Sequence, residues 1–219
     1  MSEETGSLRE RKRERTHQAI IDAALELFAT KGYDGTTVAD IADAADIGTR
    51  TFFTYFASKD ELLFPGADAR VLAVVEAIEH RGRRDRPADV LLRALQSVIE
   101  AGHEFADTQG ALRFRLIQTV PAVRGRALQL QLEAQRDIAR RLRAAYPDEL
   151  DDITAGAIVG AFVGAVTGAV QAMVDAGGAG DSDAVRRAAD VALRPWQSQG
   201  ATRPTPSSRA ASRAGSVTS

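Results

Sequence analysis

The sequence predicts an all-α protein, a small N-terminal helical unit followed by a larger helical domain, with about nine helices in all. Three observations predict it. Apolar residues recur at helical spacing, as in Ile20, Ala24, Leu25, Leu27 and Phe28, and again in Val71, Val74, Val75 and Ile78. Proline and glycine stand between such stretches, at Gly32, Pro65-Gly66, Pro87, Pro121, Pro147 and Gly177-Gly178, where they start or stop helices. No segment reads as a strand. A length of 219 residues suits one small unit plus one larger helical domain.

Residues 1–9 are expected to be disordered, and a first helix to run from about Glu10 or Thr16 to Lys31, ending at Gly32. Thr37 and Asp40 form a capping-box pattern, so a second helix starts at Thr37, with Ile41 and Ala42 inward. The chain turns near Ala45-Asp46-Ile47, and Gly48 caps a short helix from Thr49 to Thr54 that buries Phe52. A fourth helix is expected near Ser58, with Asp60 and Glu61 in its first turn, then a kink or restart at Pro65-Gly66. Arg81 to Arg86 reads as a charged, solvated loop. Further helices follow from Pro87 to about Asp107, Ala111 to Val120, Pro121 to Tyr146, Glu149 to Ala176 and Asp181 to Trp196. From Gln197 the Pro-, Ser-, Ala- and Arg-rich chain reads as a disordered tail. The domains are therefore 10–64, containing a motif at about 37–56, and 65–196, between termini at 1–9 and 197–219.

Two short helices joined by a tight turn, TTVADIADAADIGTRTFFTYFASKDELL from Thr36 to Leu63, have the shape of a helix-turn-helix, whose second helix enters the DNA major groove. Arg50 can make a bidentate bond to guanine, and Phe53 can pack on a thymine methyl or simply against the protein. Thr49 shares the N-terminal end of that helix. Thr37, Thr51, Tyr55 and Lys59 offer polar groups suited to phosphate. The run Ile20-Ile21-Asp22-Ala23-Ala24-Leu25-Glu26-Leu27-Phe28 with Lys31-Gly32-Tyr33, the Thr36-Thr37-Val38 start, and Thr51-Phe52-Phe53-Thr54-Tyr55-Phe56 through Lys59 resemble the TetR family of bacterial transcriptional regulators. The resemblance covers roughly residues 14 to 74, about a quarter of the chain. It implies an N-terminal three-helix DNA-binding domain, a C-terminal helical ligand-binding and dimerisation domain, base contacts from Thr49, Arg50 and Phe53, and backbone contacts from Thr37, Thr51, Tyr55 and Lys59. Many family members have serine where this chain has Gly48, which removes one side-chain hydrogen bond there.

Formal net charge is −2, so any attraction to nucleic acid is local. Residues 8–15, LRERKRER, hold five basic and two acidic groups, and the segment from Ile47 to Lys59 has Arg50 and Lys59 with no acid. The absence of cysteine excludes disulfides and thiolate chemistry and fits a reducing cytoplasm. No apolar run follows the basic N-terminal cluster, so it does not read as a signal peptide. His17, His80 and His103 lie in separate segments without metal-ligand spacing; no metal, no cofactor and no catalytic residue is expected.

Ile153 to Val174 has 22 residues and no charge, with Gly156, Gly160, Gly164 and Gly168 spaced by four along one helix face. Length alone admits a membrane span. The scarcity of large apolar side chains and the flanking acids favour a soluble helix that lets another helix approach closely. The resemblance implies a homodimer in which the last two long helices pair with the same two of a second subunit. It also implies a small-molecule effector in the larger domain and a repressor released from its near-palindromic operator by that effector. Constitutive binding or activation, or an interaction protein that has lost DNA binding, are the alternatives. Phe105, Arg113, Phe114, Ile117 and Gln118, with Leu112 and Leu116, are candidates to line the pocket or simply the core, and Arg113 and Arg115 could meet an acidic group. The stretch ALRFRLIQTVPAVRGRAL is similar to mycofactocin-type regulators, which implies an apolar or acyl-CoA-like ligand. Pro65-Gly66 sits where movement would be transmitted to the DNA-binding unit, as a hinge or as a fixed kink.

Overall fold

The computed structural model describes residues 3–101, 108–177 and 181–198. Among them are nine α-helices and no strand: α1 (Glu3–Lys31), α2 (Val38–Ala44), α3 (Thr49–Tyr55), α4 (Ala67–Glu79), α5 (Pro87–Glu100), α6 (Thr108–Thr119), α7 (Pro121–Ala145), α8 (Asp152–Asp175) and α9 (Ser182–Ser198). A 3-10 turn, Glu61–Leu63, lies between α3 and α4.

Two apolar cores organise these helices. In the first, Ile20, Ile21, Ala24 and Phe28 of α1 meet Ile41 of α2, Phe52 and Phe56 around α3, and Leu62 of the 3-10 turn. Phe52 is wholly buried, which stabilises this unit by about 1.5–3 kcal/mol relative to leaving the ring in water. In the second, α4, α5, α7, α8 and α9 pack around Leu91, Leu142, Ile158 and Leu193. The division at residue 64 is crossed by α6 and by the start of α7. Leu116 of α6 and Val123 of α7 are buried in the first core, with Leu112 and Ile117 packed against it. Helix α6 is thus a wedge between the two units.

Four expectations need correction. The N-terminal segment is helical from Glu3, so the described part of 1–9 is not irregular. The Arg/Lys/Glu run from Arg9 to Arg15 is rich in good helix formers. No helix starts at Ser58: the chain makes the 3-10 turn, and Gly66 then takes a left-handed conformation (φ 69°) as the N-cap of α4. Pro65-Gly66 is a full break between elements. The arginine loop is not merely solvated. Arg81 donates to the Ala145 carbonyl at 2.9 Å and lies over the Tyr146 ring, and Arg86 donates to the Gln197 carbonyl, so both cap helix C-terminal ends. At the far end, Gln197 and Ser198 close α9; the rest of the expected tail lies outside the described residues.

Candidate nucleic-acid interface and effector cavity

The helix-turn-helix is fixed by short-range hydrogen bonds. Thr37 accepts from the Asp40 amide at 3.1 Å, and the Asp40 carboxylate accepts from the Thr37 amide at 2.8 Å, completing the expected capping box. The Thr37 hydroxyl, and then the Lys31 ammonium at 3.1 Å, hold the Asp40 carboxyl down to about 2. Helix α2 ends in a Schellman motif: the Ile47 amide donates to the Ala42 carbonyl and the Asp46 amide to the Asp43 carbonyl. Asp46 takes the left-handed position (φ 53°) that glycine would occupy without strain. Gly48 then caps α3 without a side-chain bond, in open space that would accommodate a Cβ.

Successive residues of α3 turn by about 100°, so with Phe52 inward Arg50 and Thr54 point most directly outward, Phe53 and Thr51 lie to either side, and Thr49 is exposed in the first turn. Phe53 is 58% exposed and touches Phe52 only edge-on, so it is not a core residue. Arg50 is exposed, and its guanidinium has no hydrogen-bond or ion-pair partner among the described residues. Thr54, which sequence reasoning passed over, stands on the same arc and bonds back to the Arg50 carbonyl. Thr51 is exposed on the flank, next to the half-buried Tyr55 ring that packs on the first core.

Lys59 has a different role from the one its sequence position suggested. Its ammonium donates to the Tyr33 and Thr36 carbonyls at 2.9 and 3.0 Å and lies 4.2 Å from the centre of the Tyr33 ring. The Tyr33 hydroxyl donates to Asp60, and burial followed by that carboxylate pushes its pKa up. Lys59, Asp60 and Tyr33 form a clasp that holds the α1–α2 loop against the end of α3. A phosphate can reach only what the two carbonyls leave of the ammonium.

Between the two units lies a cavity of about 890 Å³. Its lining joins α1 (His17, Ile21), the Pro65-Gly66 break, α4, α5, α6, α7 and α8. Of the pocket candidates, Arg113, Phe114 and Ile117 stand on its wall. Gln118 does not. It sits about 100° further round α6 than Ile117, is exposed, and bonds to Gln171 of α8. Phe105 lies outside the described residues, Leu112 and Leu116 belong to the first core, and Arg115 is exposed. The lining residues missed in the sequence are Arg70 and His17. Arg70 precedes the apolar stripe of α4 by one residue, and its burial comes from helices far away in the chain. His17 stacks on Phe56 at 4.7 Å with its buried Nδ1 unbonded among the described residues.

On α8, Gly156, Gly160, Gly164 and Gly168 are exposed or half-exposed, and a Cβ at any of them would meet no atom within 4 Å. The helix is long and apolar enough by composition to cross a membrane (mean hydropathy 1.9), yet one side of it packs on α7 and α9.

A capped helix-turn-helix beneath a second helical domain defines the class of helix-turn-helix DNA-binding regulatory proteins. The model of the bacterial regulatory proteins of the tetR family matches residues 20–64, and the chain belongs to that family. The transcriptional regulator TcmR of Streptomyces glaucescens is 35% identical over 150 residues, 66% of each chain. The mycofactocin biosynthesis regulator MftR proposed in Mycobacterium tuberculosis is 35% identical over 85 residues, 39% of this chain and 43% of its own. The chain thus spans about two thirds of the length of the first relative and less than half of the second. A crystal structure assigned to the same family, from Syntrophomonas wolfei, shares the fold, with a TM-score of 0.62 at 15% identity over 87% of this chain and all of that one.

Proposed function

We propose that the chain is a sequence-specific DNA-binding regulator of transcription, which binds a near-palindromic operator as a two-fold dimer and is released from it by a small-molecule effector. The observation that supports this most is the outward arc of α3. A guanidinium without a partner among the described residues stands beside a phenylalanine that no core accounts for, on a helix whose approach is fixed by a capping box, a Schellman turn and the Lys59 clasp. Arginine reads guanine O6 and N7, and an apolar ring reads the thymine methyl, so the pair suits base edges in a major groove. Thr37, Thr51 and Tyr55 flank that arc and would hold the phosphates, which positions the helix without reading sequence.

The open glycine face of α8 supports the dimer. Gly156, Gly160, Gly164 and Gly168 present backbone to a neighbouring helix, and a second copy would cover the apolar surface that Ile153 and Val191 leave exposed. Two copies related by a two-fold axis would set their α3 helices about one DNA turn apart. The cavity supports effector control. It touches both links to the DNA-binding unit, the α6 wedge and the Pro65-Gly66 break, so an occupant that shifts either would change the separation of the two α3 helices. Repression is the sign that follows from release by an effector, and a soluble dimer acting on chromosomal DNA works in the cytoplasm.

Fluorescence anisotropy with duplex DNA flanking the protein's own gene tests the reading at two salt concentrations. Wild type should bind tightly and with a steep salt dependence, and Arg50→Ala should lose about 1–3 kcal/mol at one base position. Equal losses on every base variant would remove Arg50 from base recognition.

A further inference from the structure

Helix α1 outruns the core that it helps to build. Among its described side chains nothing before Ile20 is buried, and every residue from 8 to 15 is exposed. At about 100° per residue, Arg9, Lys12 and Arg13 share an arc of about 100° that holds no acid. Glu10 and Glu14 fall to one side of it, and Glu14 stands on the cavity wall. None of the three cations has a hydrogen-bond or ion-pair partner for its side chain among the described residues. Like charges three and four residues apart repel along a helix, and an anion laid against them relieves that repulsion. The arc also has a direction. Arg9 and Arg13 lie within about 20° of Ile20, a residue through which α1 enters the first core. Asp22, to which Gln109 of α6 donates at 3.1 Å, is about 140° round from Arg9 and about 180° from Arg13. Both arginines are therefore turned away from α6, toward the side of α1 that the first core occupies. One turn after Arg13, His17 stacks on Phe56 at 4.7 Å, at the end of α3. Arg9 stands about 12 Å along the helix axis from that stack, at about 1.5 Å per residue.

We propose that this face of α1 is a second DNA-contacting surface, an arm on which Arg9, Lys12 and Arg13 meet backbone phosphates beside the segment that α3 reads. This rests on the reading of α3 as the recognition helix, and it widens the footprint without adding sequence information. Each DNA strand carries a phosphate about every 3.4 Å, so an arm of about 12 Å meets several. Guanidinium forks and a lysine ammonium suit phosphate oxygens, and none of the three must first leave a partner among the described residues. With a formal net charge of −2, the chain gains attraction for DNA from where its cations stand rather than from their number.

Fluorescence anisotropy tests the arm, with a duplex of about 40 bp, about four DNA turns, carrying the site that the full chain selects from a random pool. Each phosphate contact contributes about 0.9 to the salt slope. Replacing both arginines, Arg9→Gln with Arg13→Gln, should lower the slope by about 1.8 per protomer. Raising salt from about 50 to about 200 mM should then weaken wild type about tenfold more than the double variant. The loss should be the same on every base variant of the site. Glutamine is a good helix former, and circular dichroism checks that the helix is kept. Arg15→Gln removes an equal charge about 160° round the helix from Arg13, and it should leave the slope unchanged where Arg13→Gln lowers it by about 0.9. Equal effects of Arg13→Gln and Arg15→Gln, or none in the double variant, would overturn the arm and leave α3 as the reader. An unchanged DNA slope with lost binding to phosphatidylglycerol vesicles would overturn it in favour of a membrane surface. If the pool yields no site, a mixed-sequence duplex of the same length replaces it, because phosphate contacts need no sequence. A slope that still falls in the double variant then keeps the arm and removes the sequence-specific reader; a slope that does not fall removes both.

Discussion

The N-terminal unit adds to its apolar core a set of polar ties between residues close in sequence or gathered at one clasp, whereas the larger domain is held mainly by apolar side chains that meet across long stretches of chain. In the first, Thr37 and Asp40, Ala42 and Ile47, Lys59 and Tyr33 each set one angle of a three-helix frame. In the second, Leu91, Leu142, Ile158 and Leu193 come from four helices and enclose space as well as filling it. The difference fits the two tasks. A reading helix must be rigid, because a base contact fails when misplaced by about 1 Å. A receiving domain needs a cavity and a route by which its filling is felt elsewhere.

The largest effect that would sharpen this contrast lies between two neighbours in α3. Phe52→Ala should destabilise the N-terminal unit by about 3–5 kcal/mol, because the emptied site is enclosed on all sides. Phe53→Ala should stay within about 0.5 kcal/mol in stability yet lose affinity for DNA. Urea titrations followed by circular dichroism, paired with anisotropy, would separate the two; a large stability loss for Phe53→Ala would return that ring to the core. Lys59→Ala comes next, at about 1–3 kcal/mol of stability, since it leaves two carbonyls without their charged donor. An unchanged melting midpoint with weakened DNA binding would instead make Lys59 a phosphate contact.

In the larger domain Gly164→Leu breaks the comparison differently. A Cβ there meets nothing among the described residues of the protomer, and glycine is a poor helix former, so the monomer should be at least as stable as before. A helix packed on that face would be pushed away, at a cost of about 1–3 kcal/mol, or about tenfold or more in the dimer dissociation constant. Sedimentation velocity would show it, and a dimer unaffected by the leucine would move the interface elsewhere. The smallest effect is one of pH. Folding lowers the Asp40 carboxyl from 3.8 to about 2, so its contribution is complete above pH 4 and is lost as pH falls toward 2. Thermal melts between pH 5 and 2 should show that Asp40→Asn loses less stability over this window than wild type; parallel curves would mean that the capping box adds nothing.

The helix-turn-helix was legible because its signals lie three to five residues apart. Thr37 and Asp40, the cap at Gly48 and the inward Phe52 stand where spacing alone puts them. Asp46 stands in the expected turn, though in a left-handed position usually marked by glycine, and Thr54 was passed over because it lies on the arc of Arg50 without a distinctive side chain. The partners of Lys59 are 23 and 26 residues away, and no periodicity reports them. The cavity was legible only on α6, where Arg113, Phe114 and Ile117 share a face. Arg70 beside Val71 reads as the polar edge of an amphipathic helix, and only the fold puts it on the cavity wall. The helical start at Glu3 was missed because a run of charges suits a solvated helix as well as a disordered arm.

Selection of binding sites from a random-sequence duplex pool by the full chain tests the central claim most directly, that an α3 pair reads DNA in a two-fold frame. The account predicts enriched sites with two-fold symmetry and half-sites centred about one helical turn, or a multiple of it, apart, with Arg50→Ala relaxing one position in each half. No enrichment over the starting pool, or a single asymmetric site, would contradict it.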